Sequence, residues 1–422
     1  MAIGRTLADA SLLDELARTL EPGVLRPVFQ PVVDLSRDEV IGYEAFARGP
    51  LGSRLERPDN LFAAARAANR TADLDWACRA AAARGALEGG LRPPLTLFLN
   101  VDQASLHRPV PPAFKEVWTR AESRLRVVLD ITERALTDRP TELLWSVEWA
   151  RDLGWGIALD DVGADPRSLA MLPFLRPDVI KLDLARLRPR PSLETADVVH
   201  AVAAEAERTG AVVVAEGVET PAGREAAEAM GASLAQGWLF GRPGPLPRPL
   251  PDGIEPLPIR PRGWDVPVAF TPFDVLSAHR PVRRGTKRVL LSLTRALERR
   301  ACAGGDAPVV LSAFQDERFY TPATNEIYED LAGRAAFVAA LGVGMGPSPG
   351  RGVRGAPLFA RDPLRGEWVV AVVSPHFAAA VAARDLGDDE PDHDRRFDYA
   401  ITHNRDLVLQ VALGLMVKVI AV

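Results

Sequence analysis

The stretch GWGIALDDVGADPRSLAMLPFLRPDVIKLDL, residues 154–184, holds two short apolar runs that each end on charged side chains, Asp160 with Asp161 and Lys181 with Asp183. Working outward, the same kind of run recurs at 24–35 (VLRPVFQPVVDL), 40–48 (VIGYEAFAR), 95–101 (LTLFLNV), 126–132 (RVVLDIT), 211–218 (AVVVAEGV) and 234–240 (LAQGWLF). Between them lie longer Ala-, Arg- and Glu-rich stretches, for which helices are predicted at 61–86, 141–153, 194–209 and 221–230. Strands alternating with helices build a parallel sheet covered by helices, and eight such runs in about 240 residues predict a closed, TIM-like (β/α) barrel. The first two runs are joined by the short SRDEV connection and read as a hairpin, so the barrel should begin irregularly.

Nearly every run reaches a polar residue near its C-terminal end: Glu44, Asn100, Asp130, Asp160 with Asp161, Lys181 with Asp183, Glu216 and Gln236. In a β/α barrel those ends share one rim, where side chains from distant segments converge. One such residue alone is readily explained as a helix cap. Many carboxylates around one mouth repel unless cations neutralise them, and an all-oxygen donor set suits magnesium, manganese or calcium better than zinc. A Schiff-base role for Lys181 is disfavoured, because surrounding carboxylates stabilise its charged form; a cationic Lys181 better orients a water or steadies a phosphate oxygen.

The 422 residues carry a formal charge of -5, with 47% hydrophobic and 25% charged side chains, which is the balance of a folded protein of two domains. An acidic balance argues against a general grip on polymeric nucleic acid. Two cysteines, Cys78 and Cys302, give no disulfide framework and fit a reducing cytoplasm, and both read as buried thiols. The N-terminal residues lack the apolar core of a signal peptide, and the most apolar stretch, 407–422, falls short of a membrane span, so no membrane association is expected. Between Arg242 and Gly263 the sequence RPGPLPRPLPDGIEPLPIRPRG contains eight prolines. It marks a domain boundary and is expected to act as a semi-rigid spacer, giving a barrel over 1–245, a linker over 246–264 and a second domain over 265–422.

The ordered set QPVVDL, GYEAFAR, FLNVD, LDITE, ALDDVG, IKLD, VVAEGVET and QGWLFGRP resembles the EAL domain, the bacterial cyclic di-GMP phosphodiesterase family, across approximately residues 20–245. The resemblance implies a two-metal hydrolysis, with Mg2+ or Mn2+, that opens cyclic di-GMP to linear pGpG. It places Glu44, Asn100, Asp130, Asp160, Asp161 and Glu216 at metal-ligating positions, and Lys181, Glu216 and Asp161 in the catalytic set, with Lys181 positioning the attacking water. Gln30, Arg48, Asp183 and Gln236 match substrate-contacting or site-supporting positions, Glu133 would tether the loop after Asp161, and Glu219 would support the site. A homodimer through the barrel is also implied. The chemistry wants such a set, since two cations can generate the nucleophile and neutralise the phosphate of an anionic diester.

Three departures bear on activity. Phe46 stands where the family signature has leucine. Asp130 stands where glutamate is usual, one methylene shorter, and a displacement of about 1 Å can cost on the order of a hundredfold in rate. The loop reads DDVGAD rather than DDFGTG, so Asp165 replaces a glycine and a left-handed turn is expected to be lost there. Weakened catalysis follows, and the competing reading is a degenerate barrel that senses cyclic di-GMP without cleaving it.

Beyond residue 265, helices are predicted at 284–300 and 322–331 and strands at 308–313, 335–341, 367–374 and RFDYAIT (396–402), an α/β domain. The segments FQDERFYTPATNEIYEDLAGRAAFVAALG and VVSPHFAAAVAARDLGDDEPDHDRRFDYAITHNRDLV resemble the DICT domain, a sensory module, whose ligand the resemblance does not supply. The acidic run 388–394 reads as solvated surface, and Phe319, Tyr320, His376 and Phe377 as core packing.

Overall fold

The computed structural model describes residues 2–105, 108–132, 140–163, 165–184, 192–260, 271–303 and 306–419. Eight strands close a barrel in chain order: β1 (Arg26–Asp34), β2 (Glu39–Arg48), β3 (Thr96–Val101), β4 (Arg126–Thr132), β5 (Gly156–Val162), β6 (Val179–Asp183), β7 (Val212–Glu216) and β8 (Leu234–Gln236). β1 runs antiparallel to both β2 and β8, while the remaining neighbours are parallel, so the irregular opening hairpin is present. Covering helices are α1 (Ala2–Thr19), α2 (Pro58–Ala67), α3 (Thr71–Glu88), α4 (Lys115–Arg124), α5 (Pro140–Asp152), the single turn α6 (Leu172–Leu175), α7 (Leu193–Thr209) and α8 (Pro221–Ala229). The single helix expected over 61–86 is two: the chain turns at Asn69, whose φ of 54° is a left-handed conformation that asparagine tolerates and that no helix continues through.

The barrel interior is divided. At its lower end Val32, Phe98, Val128, Val179 and Val214 form an apolar plug joined by Leu257 from the proline-rich segment. That segment is therefore no free spacer as far as residue 260. Ile254 and Leu257 are buried, Arg126 donates to the Leu257 carbonyl, and the Arg260 backbone N–H donates to Asp178 Oδ1 (2.8 Å). Proline removes donors but leaves carbonyl acceptors and apolar surface, and the barrel's underside supplies partners for both. Residues 261–264 lie outside the described residues.

The C-terminal domain is a seven-stranded mixed sheet in the order β12-β11-β10-β13-β14-β15-β9. Its strands are β9 (Arg283–Thr286), β10 (Val309–Asp316), β11 (Phe337–Val343), β12 (Arg354–Pro357), β13 (Glu367–Val373), β14 (Ala378–Asp385) and β15 (Arg396–Thr402). One face carries α10 (Lys287–Ala303) and α11 (Pro322–Ala332); the other packs α9 (Pro272–Ser277) and α12 (Arg405–Met416). β14 escaped the sequence reading because AAAVAARD is alanine-rich and buried on both faces, which erases the alternation that announces a strand. α12 reaches the barrel: it packs on α6, Thr141 Oγ1 donates to the Val419 carbonyl (2.6 Å), and Asp406 pairs with Arg208 (3.5 Å). Within the acidic run, Asp388 pairs with Arg396 (2.8 Å) and Asp392 with Lys287 (2.7 Å). No helix among the described residues is long and apolar enough to cross a membrane.

Candidate active site

Strand register explains how separate segments meet at the upper end of the barrel. Asn100 lies beside Asp130, Thr132 beside Asp160, and Asp183 beside Glu216, while Glu44 on β2 faces Gln30 on β1. Side chains alternate along a strand, so Lys181 and Asp183 share one face of β6. The ammonium of Lys181, only 1% exposed, sits at the centre. It lies 2.6 Å from Glu216 Oε1, 3.0 Å from Glu44 Oε2, 3.0 Å from Asp130 Oδ2 and 3.5 Å from Asp160 Oδ1. Asn100 Nδ2 donates to Glu44 Oε1 at 2.8 Å.

The electrostatics of this group are unbalanced. Burial alone would pull the Lys181 ammonium down, but Asp130, Glu216, Glu44 and Asp160 outweigh it and hold its pKa well above the ordinary lysine value. That works against the neutral amine nucleophile a Schiff base needs. Burial pushes Asp130 up to about 8 despite the neighbouring Lys181, and desolvation likewise raises Glu216 well above the usual carboxylate range. One lysine cannot neutralise four ionised carboxylates, so Asp130 and Glu216 hold on to protons, and Asp130 Oδ1 is buried with no hydrogen-bond partner among the described residues. Protons that a cation can displace, and a spare oxygen in an all-oxygen donor set, fit a hard divalent ion. Among the described residues no three carboxylates or histidines already converge on one point at ligating distance, because the carboxylates turn toward Lys181.

Asp161 follows in a left-handed conformation, φ 59°, its backbone N–H donating to Asp160 Oδ1 (2.9 Å), so the paired aspartates face different directions. Among the described residues of the loop, Asp161 and Gly163 (φ 96°) hold positive φ angles; Ala164, on which the turn at Asp165 depends, lies outside them. A Cβ on Gly163 would meet Val198 at 3.0 Å, which makes Gly163 the constrained position.

Beside the carboxylates opens a cavity of about 730 Å³, into whose wall Asn100 and Asp161 project together with Phe46, Arg48, Phe62 and Arg66. Arg48 donates to the Ala47 carbonyl (2.9 Å). Gln30 and Gln236 form a buried pair: Gln236 Nε2 donates to Gln30 Oε1 (3.2 Å) and Gln30 Nε2 to the Gly241 carbonyl (2.9 Å). Asp183 is half-buried at the end of β6. Glu219 is exposed on the β7–α8 connection, without a side-chain hydrogen bond to the described residues, and Glu133 lies outside them. Cys78 in the cavity wall is half-buried and its thiol is pushed up by burial; the side chain of Cys302 lies outside the described set.

A buttress behind Asn100 was not anticipated. Asp75 on α3 accepts hydrogen bonds from the Asp102 backbone N–H (3.1 Å) and from Ser105 Oγ, and pairs with Arg79 (2.7 Å). Arg79, 4% exposed, stacks over Trp76 with its guanidinium carbon 3.7 Å from the ring centroid. The group ties α3 to the segment that leaves β3 at Asp102, two residues beyond Asn100. The available signal was an Asp and an Arg four residues apart on the inward face of an otherwise alanine-rich helix.

Comparison with known proteins comes from three directions. The family model described as "EAL domain" matches residues 13–243, and that of DICT, "Sensory domain in DIguanylate Cyclases and Two-component system", matches 275–386. Cyclic di-GMP phosphodiesterase NbdA of Pseudomonas aeruginosa is 31% identical over 256 residues, covering 57% of this chain and 32% of the relative. Cyclic di-GMP phosphodiesterase RocR of the same organism is 30% identical over 249 residues, covering 57% of this chain and 62% of the relative. The match thus spans less than two thirds of either relative's own length. Among solved structures, a Klebsiella pneumoniae BlrP1 complex with manganese and cy-diGMP is 29% identical with a TM-score of 0.45, covering 53% of this chain and 57% of that one.

Proposed function

From a chain that belongs to the EAL domain family, we propose a metal-dependent phosphodiesterase that hydrolyses cyclic di-GMP to linear pGpG and is regulated by its C-terminal sensory domain. The observation that carries this reading is the excess of carboxylate oxygen around Lys181 beside a cavity large enough for a dinucleotide. Two relatives named as cyclic di-GMP phosphodiesterases support it.

Glu44, Asn100, Asp130, Asp160, Asp161 and Glu216 would hold the divalent cations, Mg2+ or Mn2+. Such ions supply Lewis-acid activation of water and neutralise the phosphate. Lys181, kept cationic by its neighbours, orients a water at the phosphorus and steadies a phosphoryl oxygen. Arg48 and Arg66 in the cavity wall attract the diester charges, and the paired Gln30 and Gln236 offer amide groups toward the bases. Asp183 would contribute to the substrate side of the rim, and Glu133 and Glu219 would steady the loops. Asp75 and Arg79 fix the strand exit that presents Asn100. Pairing of two barrels belongs to the same reading and is checked by light scattering of the full chain.

The test is incubation of the purified chain with cyclic di-GMP and Mg2+ or Mn2+, following pGpG by chromatography. Conversion that stops on chelation supports the proposal. Micromolar binding without product would make the barrel a sensor instead, and absence of binding would end both readings.

A further inference from the structure

The last helix, α12, belongs to both domains. Eight of its twelve residues are buried, and they spread around most of its circumference, so the helix needs cover on more than one side. The C-terminal sheet covers it through β10, β13 and β14, together with α9, and the barrel covers it through α6. Leu169, Leu172 and Phe174 of the barrel accordingly share one continuous apolar core with Leu407, Leu415 and Met416. Polar contacts hold both ends of α12 to the barrel. Asp406 pairs with Arg208 at the C-terminal end of α7 (3.5 Å). Thr141 Oγ1, in the first turn of α5, donates to the Val419 carbonyl (2.6 Å) and lies 3.1 Å from the Met416 carbonyl. Toward its own domain the helix is tied by Arg405 to the Ser374 carbonyl (2.7 Å), and just past its end by Lys418 to Asp362 (2.7 Å).

The barrel elements that α12 touches are those next to the carboxylates. α5 follows β4, which carries Asp130, and α6 follows β5, which carries Asp160 and Asp161. In a β/α barrel the first turn of a helix lies toward the rim that its preceding strand reaches, so Thr141 stands on the Asp130 side of the site. Beyond Asp161 the chain enters α6 through the short 3₁₀ helix Pro166–Met171, whose Leu169, Ala170 and Met171 are at most 4% exposed. Close-packed groups transmit a displacement instead of absorbing it, so the place of α6 constrains the place of the paired aspartates. α7 adds a second hold: Gly163 approaches its Val198 so closely that a Cβ there would lie 3.0 Å away.

We propose that α12 is a clamp by which the C-terminal domain positions the metal ligands of the barrel, with Thr141 as its main positioning residue. By holding the first turn of α5, the whole of α6 and the end of α7, it sets the separation of Asp130 from Asp160 and Asp161. A rearrangement of the C-terminal sheet that moves α12 then changes how well those carboxylates share a cation. The inference rests on the reading of the rim as a divalent-metal site and names the route by which the second domain reaches it. Contacts one layer out from the ligands commonly change metal affinity by about 10–100-fold, which is the size of effect such a clamp can exert.

The experiment is hydrogen–deuterium exchange of the metal-free full chain, followed by titration of the same samples with manganese. Thr141→Val removes the hydroxyl and keeps the branched side chain. Peptides covering 165–175 should then exchange about tenfold faster than in the wild type, with those of β1 and β2 unchanged, and the manganese dissociation constant should rise about tenfold. Thr141→Ser keeps the donor and should restore both. If Thr141→Val does not fold, Asp406→Lys, at an exposed position, turns the pairing with Arg208 into repulsion and should raise both quantities about threefold. Exchange at 165–175 that stays at the wild-type rate, or a rise spread evenly over the barrel, would overturn the clamp. So would faster exchange with manganese affinity unchanged. A wild-type chain that binds no manganese would instead overturn the metal reading on which the clamp rests, whatever the exchange shows.

Discussion

Two buried ionic clusters stand at opposite ends of the same barrel. At the lower end Asp178, 1% exposed, accepts from the Ile157 N–H (2.8 Å) and the Arg260 N–H (2.8 Å) and pairs with the buried Arg151 guanidinium. Both oxygens of Asp178 have donors there, and its one negative charge is met by the Arg151 guanidinium with Arg126 and Arg260 also in its field, so cations outnumber the carboxylate. At the upper end four carboxylates share one ammonium, and an oxygen of Asp130 is left over. The residue types are the same, so burial and charge alone do not tell a structural cluster from a functional one. The sense of the imbalance does: a fully donated carboxylate among guanidinium groups locks the proline-rich segment under the barrel, whereas carboxylates in excess over one ammonium leave an acceptor open to a cation.

The largest effect should separate the two ends by activity. Glu44→Gln removes one of the surplus charges; cyclic di-GMP turnover should fall by on the order of a thousandfold while the melting temperature holds or rises. A melt that drops steeply would make Glu44 a structural residue. The reverse pattern belongs to the lower end. Asp178→Ala strands Arg151 without a counter-charge and should cost about 3–5 kcal/mol in denaturant unfolding, with turnover per folded molecule retained. A loss of turnover without a loss of stability there would erase the distinction.

Glu298 in the second domain sharpens the comparison, since it is buried with a single hydroxyl donor and a more distant Arg295. Burial raises its carboxyl to about 7 in the fold, against 4.5 when unfolded. The folded chain then holds that proton more tightly, so the stability this group contributes is complete below about pH 4.5 and is lost as pH rises through 7. Relative to Glu298→Gln, the wild-type chain should lose roughly 3 kcal/mol across that window, read from urea unfolding at a series of pH values. Parallel curves for the two proteins would show that Glu298 is not so buried.

The barrel was legible because its strands are short apolar runs ending in polar residues, and the same runs gave the order in which Glu44, Asn100, Asp130, Asp160, Lys181 and Glu216 reach one rim. What could not be read was which oxygen lacks a partner, since that depends on shear between strands and on where Lys181 comes to rest. The packing of 246–260 was hidden for a related reason: proline composition reports lost donors, not the acceptors and apolar side chains that remain. Asp75 and Arg79 were passed over because α3 reads as a plain alanine-rich helix until its inward face is known. The left-handed conformations at Asp161 and Gly163 are set by how the loop leaves β5, which a family pattern of glycines indicates only in part.

The central claim is that the upper cluster's surplus oxygens take divalent ions, and manganese titration followed by electron paramagnetic resonance tests it most directly. Two ions bound per wild-type chain, lost in Glu44→Gln and kept in Asp178→Ala, is the expected result. A wild-type chain that leaves all manganese free, or one whose binding survives Glu44→Gln intact, would contradict it.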